Sequence, residues 1–230
     1  MPAIWNNLLH LFFPRLCLLC KEPLTQKEKQ LCQGCLHNLP YTCFYETGNN
    51  LLFQRLMGKV LVEHATAFLY YVKRGTTQQL VFSLKYYGNK ELAYLLGRLM
   101  ALAFRDTPLC STADVLIPVP LHRKRERKRG YNQAEKLCRG IASVWDLPVD
   151  TTSLYRLLKT DTQTKRGLYD RWFNMQDVFA VKDAEALQDK HVILVDDVVT
   201  SGSTACSCAE ALLTAVPGIR VSVFALTVVA

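Results

Sequence analysis

The chain has 230 residues, of which 50% are hydrophobic and 21% are charged. This is enough apolar surface for one sizeable domain with a small appendage, and it argues against intrinsic disorder. The formal net charge of +8 favours anionic partners such as phosphorylated metabolites or nucleic acid. No apolar run reaches the roughly 18 residues of a membrane-spanning helix, so we expect no membrane span.

The first 13 residues are apolar, without a basic segment before them or a small-residue cleavage site after them. They predict an amphipathic start that packs onto the body of the protein rather than a secretory signal. Nine cysteines are an odd number for a disulfide framework, and a chain with this much core does not need one. Reduced thiols in a cytosol fit better, and we therefore predict a cytoplasmic protein.

Four of the cysteines form two C-x2-C pairs, Cys17 with Cys20 and Cys32 with Cys35. Two such pairs at short separation bring four thiolates into the tetrahedron that structural Zn²⁺ prefers. Sulfur at all four positions leaves none for water, which indicates a structural rather than a catalytic metal. A redox dithiol is the alternative, although paired C-x2-C spacing is typical of zinc. We predict a zinc-binding module over residues 1–47.

Hydrophobic periodicity predicts the elements that follow. Their strand-helix-strand order indicates an α/β fold with a doubly wound parallel sheet. We expect this domain over residues 48–230, with an N-terminal strand and helical part at 48–112 and a core at 113–230. In chain order the predicted elements are a strand at 65–72, helices around 80–84 and 92–103, a buried strand at 115–119, a helix at 131–145, a buried strand at 192–195, a helix at 203–215 and a strand at 221–229.

The most informative segment is 192–204, where a buried strand leads into two carboxylates and a turn of small hydroxyl residues. The strand carries Asp196 and Asp197 to the crevice at the carboxyl end of the sheet, where open α/β sheets bind ligands. Carboxylates there can accept hydrogen bonds from the vicinal hydroxyls of ribose. The turn then opens a helix, whose free N–H groups and hydroxyls form a cradle for one phosphate. The cradle consists of Thr200, Ser201, Gly202, Ser203 and Thr204.

Other interpretations of this segment explain less. A simple helix cap accounts for the hydroxyls, but it leaves two costly carboxylates on a buried strand end. A two-component receiver domain also uses an acidic pair, but after an early strand, whereas only 33 residues follow Asp197 here. A Rossmann site is excluded because no G-x-G-x-x-G follows a strand. The segment resembles the type I phosphoribosyltransferase signature, which binds 5-phosphoribosyl-1-pyrophosphate (PRPP) with Mg²⁺ on the pyrophosphate and ribose hydroxyls.

In type I enzymes a pyrophosphate loop follows an earlier parallel strand, and residues 118–123 lie at that place. A basic run begins at Arg123 and continues to Arg129, interrupted only by Glu126; it would supply the dense positive charge that pyrophosphate needs. The same run could follow a nucleic-acid backbone or form a solvated face. The residues implied in pyrophosphate binding are Pro118, Val119, Pro120, Leu121 and Arg123.

A polar segment further on occupies the place of the family's mobile catalytic loop. A basic lid is physically reasonable, because excluding water protects an oxocarbenium-like ribose from hydrolysis while pyrophosphate leaves. An ordinary surface loop stays open as the alternative. The predicted lid charges, which we assign to catalysis, are Arg156, Lys159 and Arg171.

Together these segments resemble the competence protein F (ComF) family, related to amidophosphoribosyltransferases, over nearly the whole chain. The resemblance includes the paired cysteines, the run 84–88, the run 129–133 and the acidic pair with its turn. Ser201 and Ser203 stand where the family more often has Thr and Ala, and both keep the turn small. Leu168 lies two residues later than the usual leucine, which leaves the register of that loop open.

The resemblance implies a role in natural transformation, in handling incoming single-stranded DNA on the cytosolic side. Two functions stay open. One is an enzyme that transfers phosphoribosyl from PRPP, with Mg²⁺, to an unidentified acceptor. The other is a protein that binds single-stranded DNA or competence proteins and keeps the PRPP site as a sensor or relic. The basic run and the zinc module are compatible with strand binding, and Tyr131, Trp145 and Trp172 could stack bases.

Overall fold

A computed structural model describes residues 14–45, 49–157 and 178–230. Its main sheet has the strand order β1-β6-β5-β2, and every neighbouring pair is parallel. A short antiparallel pair, β3 with β4, stands beside it. The strands are β1 (Ala65–Tyr71), β2 (Val115–Pro118), β3 (Leu154–Arg156), β4 (Phe179–Val181), β5 (His191–Val199) and β6 (Arg220–Val229).

Helices connect these strands and cover the sheet, as the apolar periodicity predicts. Longer helices follow β1, β2 and β5, while shorter ones lie in the connections. The helices are α1 (Gln33–His37), α2 (Leu51–Leu56), α3 (Thr76–Tyr86), α4 (Lys90–Ala103), α5 (Pro108–Thr112), α6 (Arg123–Arg129), α7 (Gln133–Trp145) and α8 (Ser203–Ala215).

Both faces of the sheet are buried, because alternate side chains of β5 enter two different cores. Val192 and Leu194 pack in one core together with residues of α8. Ile193 and Val195 pack in the other, with residues of α3, α4 and α7. Since side chains alternate along a strand and both faces are covered by helices, β5 reads as a continuous apolar run. The predicted doubly wound α/β fold is confirmed.

The connections place a crevice between β2 and β5. Leu137, Cys138 and Ile141 of α7, which follows β2, lie in one core. Ala205, Cys208 and Leu212 of α8, which follows β5, lie in the core on the opposite face. When the chain continues from two neighbouring strands to opposite faces of the sheet, a crevice opens at the carboxyl ends of those strands. Open α/β sheets usually bind ligands in such a crevice.

The structure corrects the predicted end of β5. The strand does not end at Val195 but runs to Val199, because β6 continues beside it and pairs Asp196 with Ala225 and Val198 with Thr227. Its other neighbour, β2, already ends at Pro118, opposite Val195. The acidic pair is therefore part of the strand, paired on one side and open on the side where β2 has ended.

Two other features of the 113–145 region differ from the sequence prediction. The basic run is helical, forming α6. The helix predicted from residue 131 begins at Gln133, because Asn132 is its N-cap and its side chain accepts a hydrogen bond from Ala134 N–H. Among the described residues, no helix combines the length and the apolar composition that crossing a bilayer requires.

Residues 14–45 pack onto the larger domain. Leu31 and Leu39 are buried in the same core as α3, α4 and α7. The side chain of Gln30 joins the start of α4, where it accepts from Asn89 Nδ2 at 2.9 Å and donates to Glu91 Oε2 at 3.1 Å. The division into residues 1–47 and 48–230 stays a prediction.

Helices α4 and α7 cross at two glycines, and we expect this crossing to tolerate no added side chain. A Cβ at Gly140 would overlap the carbonyl oxygen of Tyr94, and one at Gly97 would overlap that of Leu137. Gly140→Ala should lower the free energy of unfolding by about 2 kcal/mol, as overpacking does, measured by urea denaturation. Gly34→Ala is the control, since a Cβ there meets nothing within 4 Å. Equal urea midpoints for the two variants would contradict the close approach.

Candidate functional site

A polar cleft of about 160 Å³ opens at the carboxyl ends of β2 and β5. The acidic pair of β5 and the loop after β2 form its walls, and Thr204 of the hydroxyl turn reaches it. Cationic side chains from three elements complete the lining. They are Lys85 of α3, Arg125 and Arg129 of α6, and Arg156 of β3.

Several predicted site residues meet in this cleft and others do not. Val119, Pro120 and Leu121 line it, as do Asp196, Asp197, Thr204 and Arg156. Pro118 is the buried last residue of β2, and Arg123 is exposed and outside the lining. Thr200, Ser201 and Ser203 are exposed in the turn and Gly202 is buried. Lys159 and Arg171 lie outside the described residues.

Arg125 and Arg129 face the cleft where the sequence had indicated Arg123. The reason is that the run is helical: residues four apart lie on one helix face, so one side of α6 points to the site. Spacing alone cannot select this face until the run is known to be a helix. The ring of Phe179 lies 5.3 Å from the guanidinium carbon of Arg156, a cation–π distance that holds this third arginine beside the cleft.

Backbone hydrogen bonds fix the acidic pair. Asp197 N–H donates to Asp196 Oδ1 at 2.8 Å, and the carbonyl of Asp197 accepts from the hydroxyl of Thr227 at 3.0 Å. Burial, followed by the charge of Asp197, raises the pKa of Asp196 to about 7, against the opposing effects of the Asp197 N–H and of Lys85. One carboxyl of the pair is therefore close to its midpoint of titration near neutral pH.

Asp197 carries an oxygen without a hydrogen bond. Its side chain is 12% exposed, and buried Oδ2 lies 3.2 Å from Lys85 Nζ. At that distance the ammonium and the carboxylate form an ion pair, but they are not aligned for a hydrogen bond. Because buried carboxylate oxygens are normally hydrogen-bonded, the Lys85 ammonium is the group on which Oδ2 depends for a partner.

Residues 129–133 tie the walls of the cleft together. Gly130, at φ 75°, ends α6, a backbone conformation that glycine adopts without strain. Arg129 Nη1 donates to Gln133 Oε1 at 2.8 Å, and Asn132 Nδ2 donates to the carbonyl of Val119 at 3.1 Å. The hydroxyl of Tyr131 donates to the carbonyl of Leu84 at 2.6 Å. One short segment thus fixes an arginine, the loop after β2 and the end of α3.

Of the aromatic residues considered for base stacking, Tyr131 is buried and Trp145 packs against the core. Tyr131 is 6% exposed, and burial raises its pKa to about 12, so its hydroxyl stays a donor. Trp145 donates from its indole N–H to the carbonyl of Ala101 at 2.8 Å and stacks on Phe224 at 5.8 Å. Trp172 lies outside the described residues.

The hydroxyl turn forms the other end of the site. Gly202 adopts φ 82° immediately before α8, and a Cβ there would lie 2.8 Å from Leu56 Cδ2, so a glycine is required. Arg55 Nη1 donates to the carbonyl of Thr200 at 2.6 Å, and Lys59 Nζ lies 3.5 Å from that of Ser201. The first N–H groups of α8 have no partner within the helix, as in any helix. Arg55 and Lys59 were not predicted from the sequence, because they belong to a different segment from the turn.

The four predicted metal cysteines converge. Their Sγ atoms all lie within 4.8 Å of one another, and Cys17 and Cys32 accept N–H bonds at 3.4 Å. Burial and the neighbouring thiols raise the pKa of Cys35 to about 12. That of Cys17 falls to about 6 because, against burial, N–H groups of Cys20, Cys32 and Leu19 stabilise its thiolate. Four sulfur ligands this close could hold one structural zinc ion, which binds cysteine as the thiolate.

Fold and site together define a doubly wound α/β protein that carries a four-cysteine metal module. The chain is 30% identical over 221 residues to the DNA utilization protein YhgH of Salmonella typhi, covering 87% of this chain and 91% of that protein. It is 28% identical over 205 residues to competence protein F of Haemophilus influenzae, with 84% and 88% covered. The chain belongs to the family of these DNA utilization and competence proteins, which confirms the resemblance seen in the sequence.

The solved structures similar to this chain are distant. The glutamine PRPP amidotransferase of B. subtilis, solved with ADP and GMP, matches with a TM-score of 0.40 and 18% identity, over 57% of this chain and 25% of that one. No protein-family model matches the chain.

The metal assignment predicts that removing one thiol abolishes zinc retention. Cys20→Ser should reduce zinc from about one ion per chain to well below half, and should lower the thermal midpoint, because binding energy at such sites is folding energy. Metal content is measured by mass spectrometry after gel filtration. Cys43→Ser, which changes an exposed cysteine outside the cluster, is the control. Full zinc retention in Cys20→Ser would contradict the assignment.

The raised pKa of Asp196 predicts a pH-dependent stability. A carboxyl whose pKa rises on folding stabilises the fold fully below its unfolded pKa, near 4, and loses that contribution as pH rises through about 7. Asp196→Asn should therefore match wild type near pH 4 and exceed it above pH 7, by up to about 4 kcal/mol. Urea denaturation across this range measures the difference, with the exposed Asp106→Asn as control. A gap that does not change with pH would contradict the prediction.

Proposed function

We propose that this protein binds PRPP in the cleft between β2 and β5 and is a phosphoribosyltransferase-like member of its family. The observation that carries the proposal is the acidic pair Asp196 and Asp197, which lines a cleft together with a lysine and three arginines. A ligand for this cleft must donate hydrogen bonds at one point and carry several negative charges around it. A ribose that bears phosphate and pyrophosphate does both.

We assign each part of PRPP to one part of the site. The ribose hydroxyls donate to Asp196 and Asp197. The 5-phosphate binds at the start of α8, on the amides and hydroxyls of residues 200–204, because a helix N-terminus favours anions. The pyrophosphate lies along the loop 119–121 beside Arg125 and Arg129, where charge-assisted hydrogen bonds are strongest. Pro118 and Arg123, the other predicted members of these sets, stay predictions.

The residues around the ribose suit substitution at its C1 carbon. The acceptor forms a bond to C1 while the bond from C1 to the pyrophosphate oxygen breaks, and the electron pair leaves with the pyrophosphate. The two carboxylates stabilise the positive charge that develops on the ribose, and the arginines stabilise the departing pyrophosphate. Arg156, with Lys159 and Arg171 as proposed lid charges, would exclude water. Mg²⁺ would neutralise pyrophosphate charge when bound with PRPP.

We place this activity in DNA uptake during natural transformation, on the cytoplasmic side. This placement is supported by the family, whose members carry the names DNA utilization protein YhgH and competence protein F. The four-cysteine module would hold structural zinc. Competence proteins and single-stranded DNA are the partners that we propose for the surface outside the cleft.

A second candidate is a binding protein that keeps the PRPP site as a sensor. The size of the cleft favours it: about 160 Å³ is less than the roughly 300–1,000 Å³ of typical small-molecule sites. Among the described residues, the cleft offers the ribose and phosphate groups their contacts but no separate chamber for an acceptor.

Calorimetry with PRPP and Mg²⁺ tests binding. Wild type should bind, and Asp197→Asn should bind about 10- to 100-fold more weakly, the cost of losing hydrogen bonds to a charged group. Asp106→Asn, on the exposed surface, should bind as wild type does. Absence of binding to wild type would refute the proposal.

Pyrophosphate release then separates the two candidates. An enzyme should release pyrophosphate from PRPP only when an acceptor is added, and Asp197→Asn should remove most of this rate. Tight PRPP binding with no release over a broad panel of bases, amines and DNA ends would favour the sensor.

A further inference from the structure

Among the described residues, Lys85 forms the one ion pair of the acidic pair, although it lies far from that pair in the sequence. Its side chain is 22% exposed and its Nζ lies 3.2 Å from Asp197 Oδ2. The residues after it at the end of α3, Tyr86 and Tyr87, are 60% and 80% exposed. Lys85 therefore points into the cleft, whereas the two residues after it are exposed to solvent.

Burying this ion pair costs more free energy than forming a solvent-exposed pair would. Removing both charges from water is repaid only when geometry is good and the remaining donors and acceptors are satisfied. Here Oδ2 has no hydrogen bond, so the pair is incompletely satisfied. A stabilising role alone does not explain such an arrangement, whereas an anionic ligand that contacts the partly exposed ammonium does.

The position of Lys85 is fixed by residues that also fix the loop after β2. The carbonyl of Leu84, the residue before it, accepts from the hydroxyl of Tyr131 at 2.6 Å and from Gln133 Nε2 at 3.4 Å. Gln133 in turn accepts from Arg129. Lys85 thereby lines the same cleft as the acidic pair, the loop 119–121 and the arginines of α6.

We propose that Lys85 is a positioning residue that joins the two ends of the PRPP site. Its ammonium orients Asp197 for the ribose hydroxyls and contacts the pyrophosphate of the bound ligand. This inference rests on the proposed function and assigns a role to a side chain outside the acidic pair, the hydroxyl turn and the loop after β2.

The role predicts which ligand loses affinity when the ammonium is removed. Lys85→Met should weaken PRPP binding at least tenfold and weaken pyrophosphate binding by a similar factor, with a smaller loss for ribose 5-phosphate. Lys85→Arg should restore most of the PRPP affinity, because it keeps the positive charge. Lys73→Met, which removes an exposed lysine at the end of β1, should leave all three affinities unchanged. Calorimetry with Mg²⁺ gives the values, and thermal unfolding confirms that each variant is folded.

A measurement on the wild-type chain keeps the inference testable if Lys85→Met does not fold. Acetylation of lysine amines, followed by mass spectrometry, should slow at Lys85 at least fivefold when PRPP or pyrophosphate is bound with Mg²⁺. The rate at Lys73 should stay the same.

The outcomes separate the inference from the function on which it rests. If wild type binds neither PRPP nor pyrophosphate, the proposed function fails and the role of Lys85 fails with it. If wild type binds PRPP but Lys85→Met binds it within twofold, or Lys85 acetylates equally fast with ligand bound, only the inference is overturned. A loss of stability in Lys85→Met with unchanged affinities would likewise show a structural ion pair and overturn it.

Discussion

The unequal length of β2 and β5 is the constraint on which the site depends. Parallel pairing of β5 with β6 continues through Asp196 and Val198, while β2 stops opposite Val195. Strand pairing therefore holds the backbone of Asp196, while Asp196 Oδ1 and the Thr227 hydroxyl hold that of Asp197. The two side chains border a space that β2 leaves open. Carboxylates in a loop would be free to turn toward water. Here the strand keeps both carboxylates in the cleft. The raised pKa of Asp196 reflects the free-energy cost of burying its charge.

The segment 129–133 fixes the other walls of the cleft. It contains the left-handed Gly130, caps α7 and sends side chains to Val119 and Leu84. Buried hydrogen bonds of this kind are costly to break, so the loop, α6 and the end of α3 hold a common arrangement. The cations of the cleft come from separate parts of the chain, and one short segment sets their spacing.

Local patterns predicted the strands, the long helices, the cysteine cluster and the acidic pair with its turn, because each is encoded within a few residues. What they did not predict depends on distant contacts. Arg125 and Arg129 line the cleft because the basic run is helical. Lys85 lines it from the end of α3, where Tyr131 bonds to Leu84. The extension of β5 follows from β6, which lies more than twenty residues later. Periodicity describes one element at a time, whereas these features require knowing which elements are neighbours.

The four-cysteine module contributes to the same arrangement. Gln30, two residues before Cys32, accepts from Asn89, the N-cap of α4, whose backbone N–H lies 3.4 Å from the carbonyl of Ser83. Ser83 is two residues from Lys85, on the last turn of α3. A metal ion held by the four cysteines would therefore also support the α3–α4 turn from outside, while Tyr131 holds it from inside. The position of the Lys85 ammonium depends on both supports, which connects a structural metal to the geometry of a site built from other residues.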